Sequence, residues 1–148
     1  MKINEIRNIT RQALPENDYL ILLGISLCVF NSNNSFIIEN ILIKDEQKDY
    51  NWHDLFDLTS GQLSKAIERT ITKNSNENIA ILFSEIVEKR NRIIHSFQYT
   101  DPEQNNEQKL ATKHRRTHVQ EKIERDYLNE FIIMNENLSS LLHEFRGY

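Results

Sequence analysis

The chain is poor in residues that turn a backbone: it has 3 glycines and 2 prolines in 148 residues. That scarcity disfavours a fold of many short strands and favours long regular elements, chiefly helices. A single cysteine, Cys28, excludes an intrachain disulfide and fits a reducing compartment. Its place inside an apolar run makes it an expected small core residue. Long hydrophobic runs are also missing. The longest, YLILLGISLCVF, has 12 residues, too few to cross a bilayer. It has the look of a signal-peptide core, but Glu5, Glu16 and Asp18 precede it and no small-x-small cleavage site follows. The expectation is a buried helix in a cytoplasmic protein that makes no use of a membrane. Nor is there an overall basic charge: the net value of −4 carries no global nucleic-acid signature.

What is present fits one domain over residues 1–148, with 39% apolar residues for a single core. Apolar spacing predicts helices over residues 3–13, 16–30 and 36–43, with NSNNS (31–35) as a polar break. A charged loop follows at 44–51. Thr59 or Ser60 can cap a helix that runs to about residue 73. The longest amphipathic pattern covers 77–98, with Ile79, Leu82, Phe83, Ile86, Ile93, Ile94 and Phe97 as its stripe. After a polar stretch, Leu110, Thr112 and His114 alternate, and Val119, Glu121 and Ile123 do so again. This predicts a β-hairpin at about 109–123 with RRT at its turn. A last helix is expected over 125–145.

Within the acidic chain one region is basic. From Lys89 to His118 there are seven Lys or Arg and three Asp or Glu, a balance of +4, which leaves −8 for the rest. In the same region a charge interrupts the apolar stripe. After Ile86 the next stripe position is 90, and it is arginine. An unpaired buried charge costs several kcal/mol, so Arg90 must reach a partner or open onto a pocket. Asn91 and His95 are spaced i, i+4 and share a polar face with Glu88. Arg90 and His95 diverge by about 140° around a helix axis and lie roughly 7.5 Å apart along it. They converge only if the helix ends there, if the arginine sweeps round, or if a second copy supplies the other group.

Arg90-Asn91-Arg92-Ile93-Ile94-His95 resembles the R-x4-6-H motif of the HEPN superfamily (higher eukaryotes and prokaryotes nucleotide-binding domains), in which a polar residue, often asparagine, follows the arginine. The resemblance is specific over residues 85–99. It implies a mainly α fold, an antiparallel helical bundle with a small β-hairpin inserted before the last helix. It also implies a homodimer with the two motifs face to face, and a metal-independent endoribonuclease of a toxin–antitoxin or antiviral defence system. Some members of the superfamily bind nucleotides or partners without catalysis, and that non-catalytic RNA-, nucleotide- or protein-binding module is the alternative. The chain departs from one subgroup pattern: where those relatives read H-x-Y, it has Phe97, and Tyr99 is out of register.

The residue types suit the chemistry the resemblance implies. RNA carries its own nucleophile, the 2′-hydroxyl. Histidine moves a proton near neutral pH. Arginine pairs bidentately with a phosphate and stabilises charge as it develops. The expected roles are phosphate binding for Arg90, acid–base chemistry for His95, and orientation by Asn91. The products would be a 2′,3′-cyclic phosphate and a 5′-hydroxyl, with no metal or other cofactor. Lys89, Arg92, Lys113, Arg115 and Arg116 are candidate contacts to flanking RNA phosphates. An antitoxin or regulatory partner is a further expectation. His114 and His118 have i, i+4 spacing, yet they read better as hairpin-turn residues than as zinc ligands. Glu85 and Glu88 read as ion-pair partners of Lys89, Arg90 or Arg92 rather than as catalytic carboxylates. The competing reading of Arg90 is a structural salt bridge to a buried acid.

Overall fold

In the computed structural model, which describes residues 1–147, the protein is mainly helical with one small antiparallel sheet. The order is α1 (Ile3–Arg7), α2 (Asn17–Lys44), α3 (Trp52–Asp57), a 3-10 turn (Ser60–Leu63), α4 (Ser64–Ile67), a π-helical turn (Glu68–Thr72), α5 (Asn78–Ile94), β1 (Phe97–Asp101), β2 (Glu107–Lys113), β3 (Gln120–Ile123) and α6 (Arg125–Arg146). The three long helices form the core. Ile37, Ile38 and Ile41 of α2, Ile86 of α5, and Phe131, Leu138 and Leu142 of α6 are all fully or almost fully buried.

Side-chain pairs fix the directions. Asp18 meets Arg125, Asn33 meets Asn135 and Glu39 meets Arg146, so α2 and α6 run parallel. Glu85 lies by Met134 while Arg92 lies by Tyr127, so α5 runs against α6.

The polar stretch 31–35 does not break α2, which continues through it as one helix of 28 residues. Asn and Ser are weak helix formers, but tertiary bonds override that preference. The buried Asn33 donates its amide to the Asn135 backbone oxygen at 2.7 Å and to its side-chain oxygen at 3.0 Å. Asn135 in turn donates to the Phe131 carbonyl at 2.9 Å. A buried amide without partners is costly, so this pair fixes the register of the two helices. Cys28 is exposed, not in the core.

The first helix is shorter than its pattern predicts. Arg7 donates to the Pro15 carbonyl at 2.7 Å and to the Asn17 side-chain oxygen at 3.0 Å, which holds the chain after it in an open loop. The expected helix of 60–73 is present as a mixed segment of 3-10, α and π turns.

The hairpin forms as expected, pairing Leu110 with Ile123 and Thr112 with Glu121. A third strand, β1, joins it in the order β1-β2-β3, with Phe97 opposite Ala111 and Asp101 opposite Glu107. Its first residues were expected to be helical. The alternation Phe97-Gln98-Tyr99-Thr100 has the period of a strand, and pairing to β2 decides the outcome.

Two devices tie the sheet to the helices. The buried Tyr19 of α2 donates its hydroxyl to the Ile123 carbonyl at 2.6 Å and accepts from the Leu110 N–H at 3.0 Å. Burial pushes this phenol up to about 12. Beside it lies a buried ionic cluster. Lys109 of β2 and Asp101 of β1 are both fully buried and 3.4 Å apart. Lys109 also reaches Glu124, just before α6, at 2.7 Å, and bonds Gln104. Lys122 of β3 lies 3.4 Å from Asp101. Arg125 joins Asp18 to Glu107 at 2.6 and 3.1 Å. Burial pulls the Asp101 carboxyl upward, but the Glu103 N–H and the ammonium groups of Lys109 and Lys122 outweigh it and leave it below the ordinary value of 3.8.

Removing Lys109 takes from the buried Asp101 its only fully buried cation and leaves the half-exposed Lys122 alone to balance it. Lys109→Ala should therefore cost about 3 kcal/mol of stability, measured by urea unfolding at pH 7. The lowered Asp101 value also sets a pH dependence. Its contribution is complete above the unfolded value of 3.8 and is lost as pH falls below it. Asp101→Asn should flatten the loss of stability on acidification below that value. An equally steep acid transition in the variant would contradict the assignment.

Candidate functional site

The RNRIIH segment lies where α5 ends and the sheet begins. The helix stops at Ile94, and His95 is its C-cap, with φ −96° and ψ 20°. The His95 N–H still bonds back to the Asn91 carbonyl at 3.0 Å, so the imidazole leaves from the last turn rather than from mid-helix. It stops there because Phe97 begins a strand held by β2. His95 is exposed, and its ring makes no hydrogen bond among the described residues.

Arg90 points away from α5 towards α2. Its guanidinium carbon lies 5.1 Å from the centre of the Phe30 ring, a cation–π contact. Phe30 itself stacks on Phe131 at 6.4 Å, which holds the ring in place from behind. One Arg90 amino group donates to the Asn91 side-chain oxygen at 3.2 Å. The buried Nε has no hydrogen-bond partner, and no carboxylate pairs with Arg90 among the described residues. This overturns the structural salt bridge as an account of the arginine. The charge is stacked and aimed, yet not neutralised. The Asn91 side chain is exposed and bonds Arg90, not the His95 ring. No hydrogen bond joins Arg90 to His95 among the described residues.

The expected RNA contacts fall in other places. Lys89 and Arg92 leave α5 on the side opposite Arg90, facing α6 and the hairpin. Lys89 pairs with Glu130 at 3.1 Å and lies 4.3 Å from the Tyr127 ring centre. Arg92 pairs with Glu88 at 2.9 Å and Glu121 at 3.5 Å, and donates to His114 Nε2 at 2.6 Å. An arginine only donates, so this bond requires His114 to accept at Nε2 and to carry its proton on Nδ1. These groups line a cleft of about 450 Å³ with Tyr127, whose phenol burial pushes up to about 12. Both cations are already matched by glutamates there. Lys113, Arg115 and Arg116 are exposed at the hairpin tip, and no carboxylate pairs with them among the described residues. The structure thus splits the candidate RNA contacts into a committed pair on α5 and a free set on the hairpin.

His118 sits at positive φ (58°) in the hairpin turn, and among the described residues no three metal-ligating side chains converge. Phe97 is 40% exposed, and Tyr99 is half-buried with its hydroxyl 3.5 Å from Asp101. Sequence reasoning missed Phe30, because an aromatic inside an apolar run reads as ordinary core. No protein-family model matches the chain, and no curated protein or solved structure matches it.

Because Arg90 neutralises no internal acid, its removal orphans nothing. Arg90→Gln should keep the melting temperature within about 4 °C of the parent, the scale of a loss of roughly 1 kcal/mol or less. A loss several times larger in thermal denaturation would return the arginine to a structural role.

Proposed function

We propose that the protein is a metal-independent endoribonuclease of the HEPN kind, acting as a toxin or phage-defence effector. One observation carries this reading most. Arg90 presents a guanidinium fixed on Phe30, with no carboxylate to satisfy it, at the end of a helix where an exposed histidine follows. A stacked, unneutralised guanidinium is suited to a phosphate oxyanion. In this reading Arg90 holds the scissile phosphate and stabilises its charge as the 2′-hydroxyl attacks. His95 moves the proton, and Asn91 keeps the guanidinium oriented. Lys113, Arg115 and Arg116 reach flanking phosphates from the hairpin. Lys89 and Arg92 contribute chiefly by holding α6 and the hairpin in place.

Arg90 and His95 diverge within one chain, so the reading includes a homodimer that supplies the missing convergence. α2 offers the surface for it. From Tyr19 to Ile38 its 20 residues include no charged side chain. Ile21, Gly24, Ile25, Leu27 and Cys28 are exposed there, within about two and a half turns before Phe30. In a twofold contact each residue of the patch meets the same patch, and a face without charge meets itself without repulsion. By length and composition α2 would also cross a membrane, and only 28% of its most apolar window is buried. The Asn33–Asn135 pair and the Asp18–Arg125 bond favour a helix kept inside the folded domain of a cytoplasmic protein. α5 runs against α6, as in the antiparallel bundle that the resemblance implies, whereas α2 packs parallel to α6.

In EDTA, the wild type should cleave a mixed tRNA and mRNA substrate and leave 2′,3′-cyclic phosphate ends. His95→Ala, still folded, should not. Ile25→Glu should sediment as a monomer and lose cleavage with it. Ends bearing 5′-phosphates, or full activity in the His95 variant, would overturn the mechanism. No cleavage by a folded, dimeric wild type would favour a non-catalytic binding module.

A further inference from the structure

The hairpin ladder ends at the pair Lys113 and Gln120, and residues 114–119 form its tip. Among the described residues, one hydrogen bond joins that tip to another element. Arg92 of α5 donates from Nη1 to Nε2 of His114 at 2.6 Å. The other bonds of the tip are its own. The His114 N–H donates to the Val119 carbonyl and the His118 N–H to the His114 carbonyl, both at 2.9 Å. The Val119 N–H donates to the Thr117 hydroxyl at 3.3 Å. His114 is half-buried, whereas residues 115–119 are all exposed. A basic tip, with Arg115 and Arg116, is thus fastened to α5 at a single titratable side chain.

An arginine N–H bonds only to a lone pair. His114 has one at Nε2 only while its ring is neutral and its proton sits on Nδ1. A second proton makes both ring nitrogens donors, removes the acceptor and sets an imidazolium against a guanidinium. The cleft around the ring holds Glu85, Glu88, Lys89 and Arg92 of α5, Glu121 of β3, and Tyr127 and Glu130 of α6. Three of its carboxylates are engaged with the two cations: Glu130 with Lys89, and Glu88 and Glu121 with Arg92. Glu85 lies about two turns from Arg92 along the helix. From the tip itself Lys113, Arg115, Arg116 and His118 add basic groups. Arg92 keeps its glutamates whichever way His114 titrates. The histidine, on the less tied element, is therefore the side that gives way.

We propose that His114 is a proton-operated latch on the basic hairpin tip. Neutral, it holds the tip against α5. Protonated, it frees the tip and adds a cation beside Arg115 and Arg116 for an RNA phosphate. The latch is closed above the titration of His114 and opens as pH falls through it. The RNA half of the inference rests on the ribonuclease reading, in which this tip reaches flanking phosphates. The latch itself does not.

Nuclear magnetic resonance on the full-length protein tests the latch without RNA. At neutral pH, long-range proton–nitrogen spectra should place the His114 proton on Nδ1, the less common form of a free imidazole. Between about pH 7.5 and about pH 5.5, backbone order parameters of residues 114–119 should fall from about 0.85 to below about 0.6. In His114→Gln the amide oxygen accepts from Arg92 and does not titrate, so the tip should stay ordered throughout. In His114→Ala it should be mobile throughout. Binding of an uncleavable 2′-O-methyl RNA tests the consequence. At fixed ionic strength it should strengthen about tenfold more on this acidification in the wild type than in His114→Gln. A neutral ring with its proton on Nε2, or a wild-type tip equally ordered at both pH values, would overturn the latch. An equal pH response of RNA binding in the two proteins would overturn its role towards RNA. A latch that opens with no RNA bound at either pH would stand, and would count against the ribonuclease reading instead.

Discussion

The position of the sheet decides where the motif ends up, and a buried ion pair decides the position of the sheet. Lys109 and Asp101 have no exposed surface, and they bind β2 to β1 while Glu124 and Arg125 carry the same network into α6 and α2. A charge pair this deep has little stabilising value compared with apolar packing. Its force lies in the cost of any arrangement that leaves one member alone. With β1 held in this way, α5 cannot run on through Phe97. It terminates at Ile94, and His95 is released from helical spacing at the place where the chain turns into the strand.

The same termination gives α5 two unlike faces. On one, Lys89 and Arg92 are matched by Glu130, Glu88 and Glu121, and the charges cancel locally. On the other, Arg90 lies on Phe30 with nothing of opposite sign to meet it. Phe30 supports the guanidinium with its ring face, which interacts with a cation without neutralising it. The asymmetry separates cations that are matched within the protein from one that is not. The basic character of residues 89–118, which the sequence displays as a single block, is thus divided between structure and surface.

Much of this was legible in the residues. The long helix at α5, the β2–β3 hairpin, the last helix and the intrusion of Arg90 into an apolar stripe all follow from spacing. What was not legible depends on partners distant in the chain. NSNNS has the composition of a break, and only Asn135, 102 residues away, turns Asn33 into a helix-to-helix pin. The residues of β1 continue an apolar stripe in helical register, and only β2 makes them a strand. Cys28 and the isoleucines around it read as core because the pattern of an apolar helix does not tell which side is covered. The pairing of Arg92 with Glu88 and the lack of a carboxylate at Arg90 were both among the outcomes that spacing left open, but Glu130 and Glu121, distant in the chain, were not foreseen as partners.

The central claim is that the Arg90 charge is held for a phosphate. Binding of a 2′-O-methyl RNA, which cannot be cleaved, to the wild type, Arg90→Gln and His95→Ala tests it most directly. Loss of a charge-assisted bond predicts roughly 10- to 100-fold weaker binding for Arg90→Gln and little change for His95→Ala. Unchanged affinity for Arg90→Gln, with the variant folded, would contradict the account.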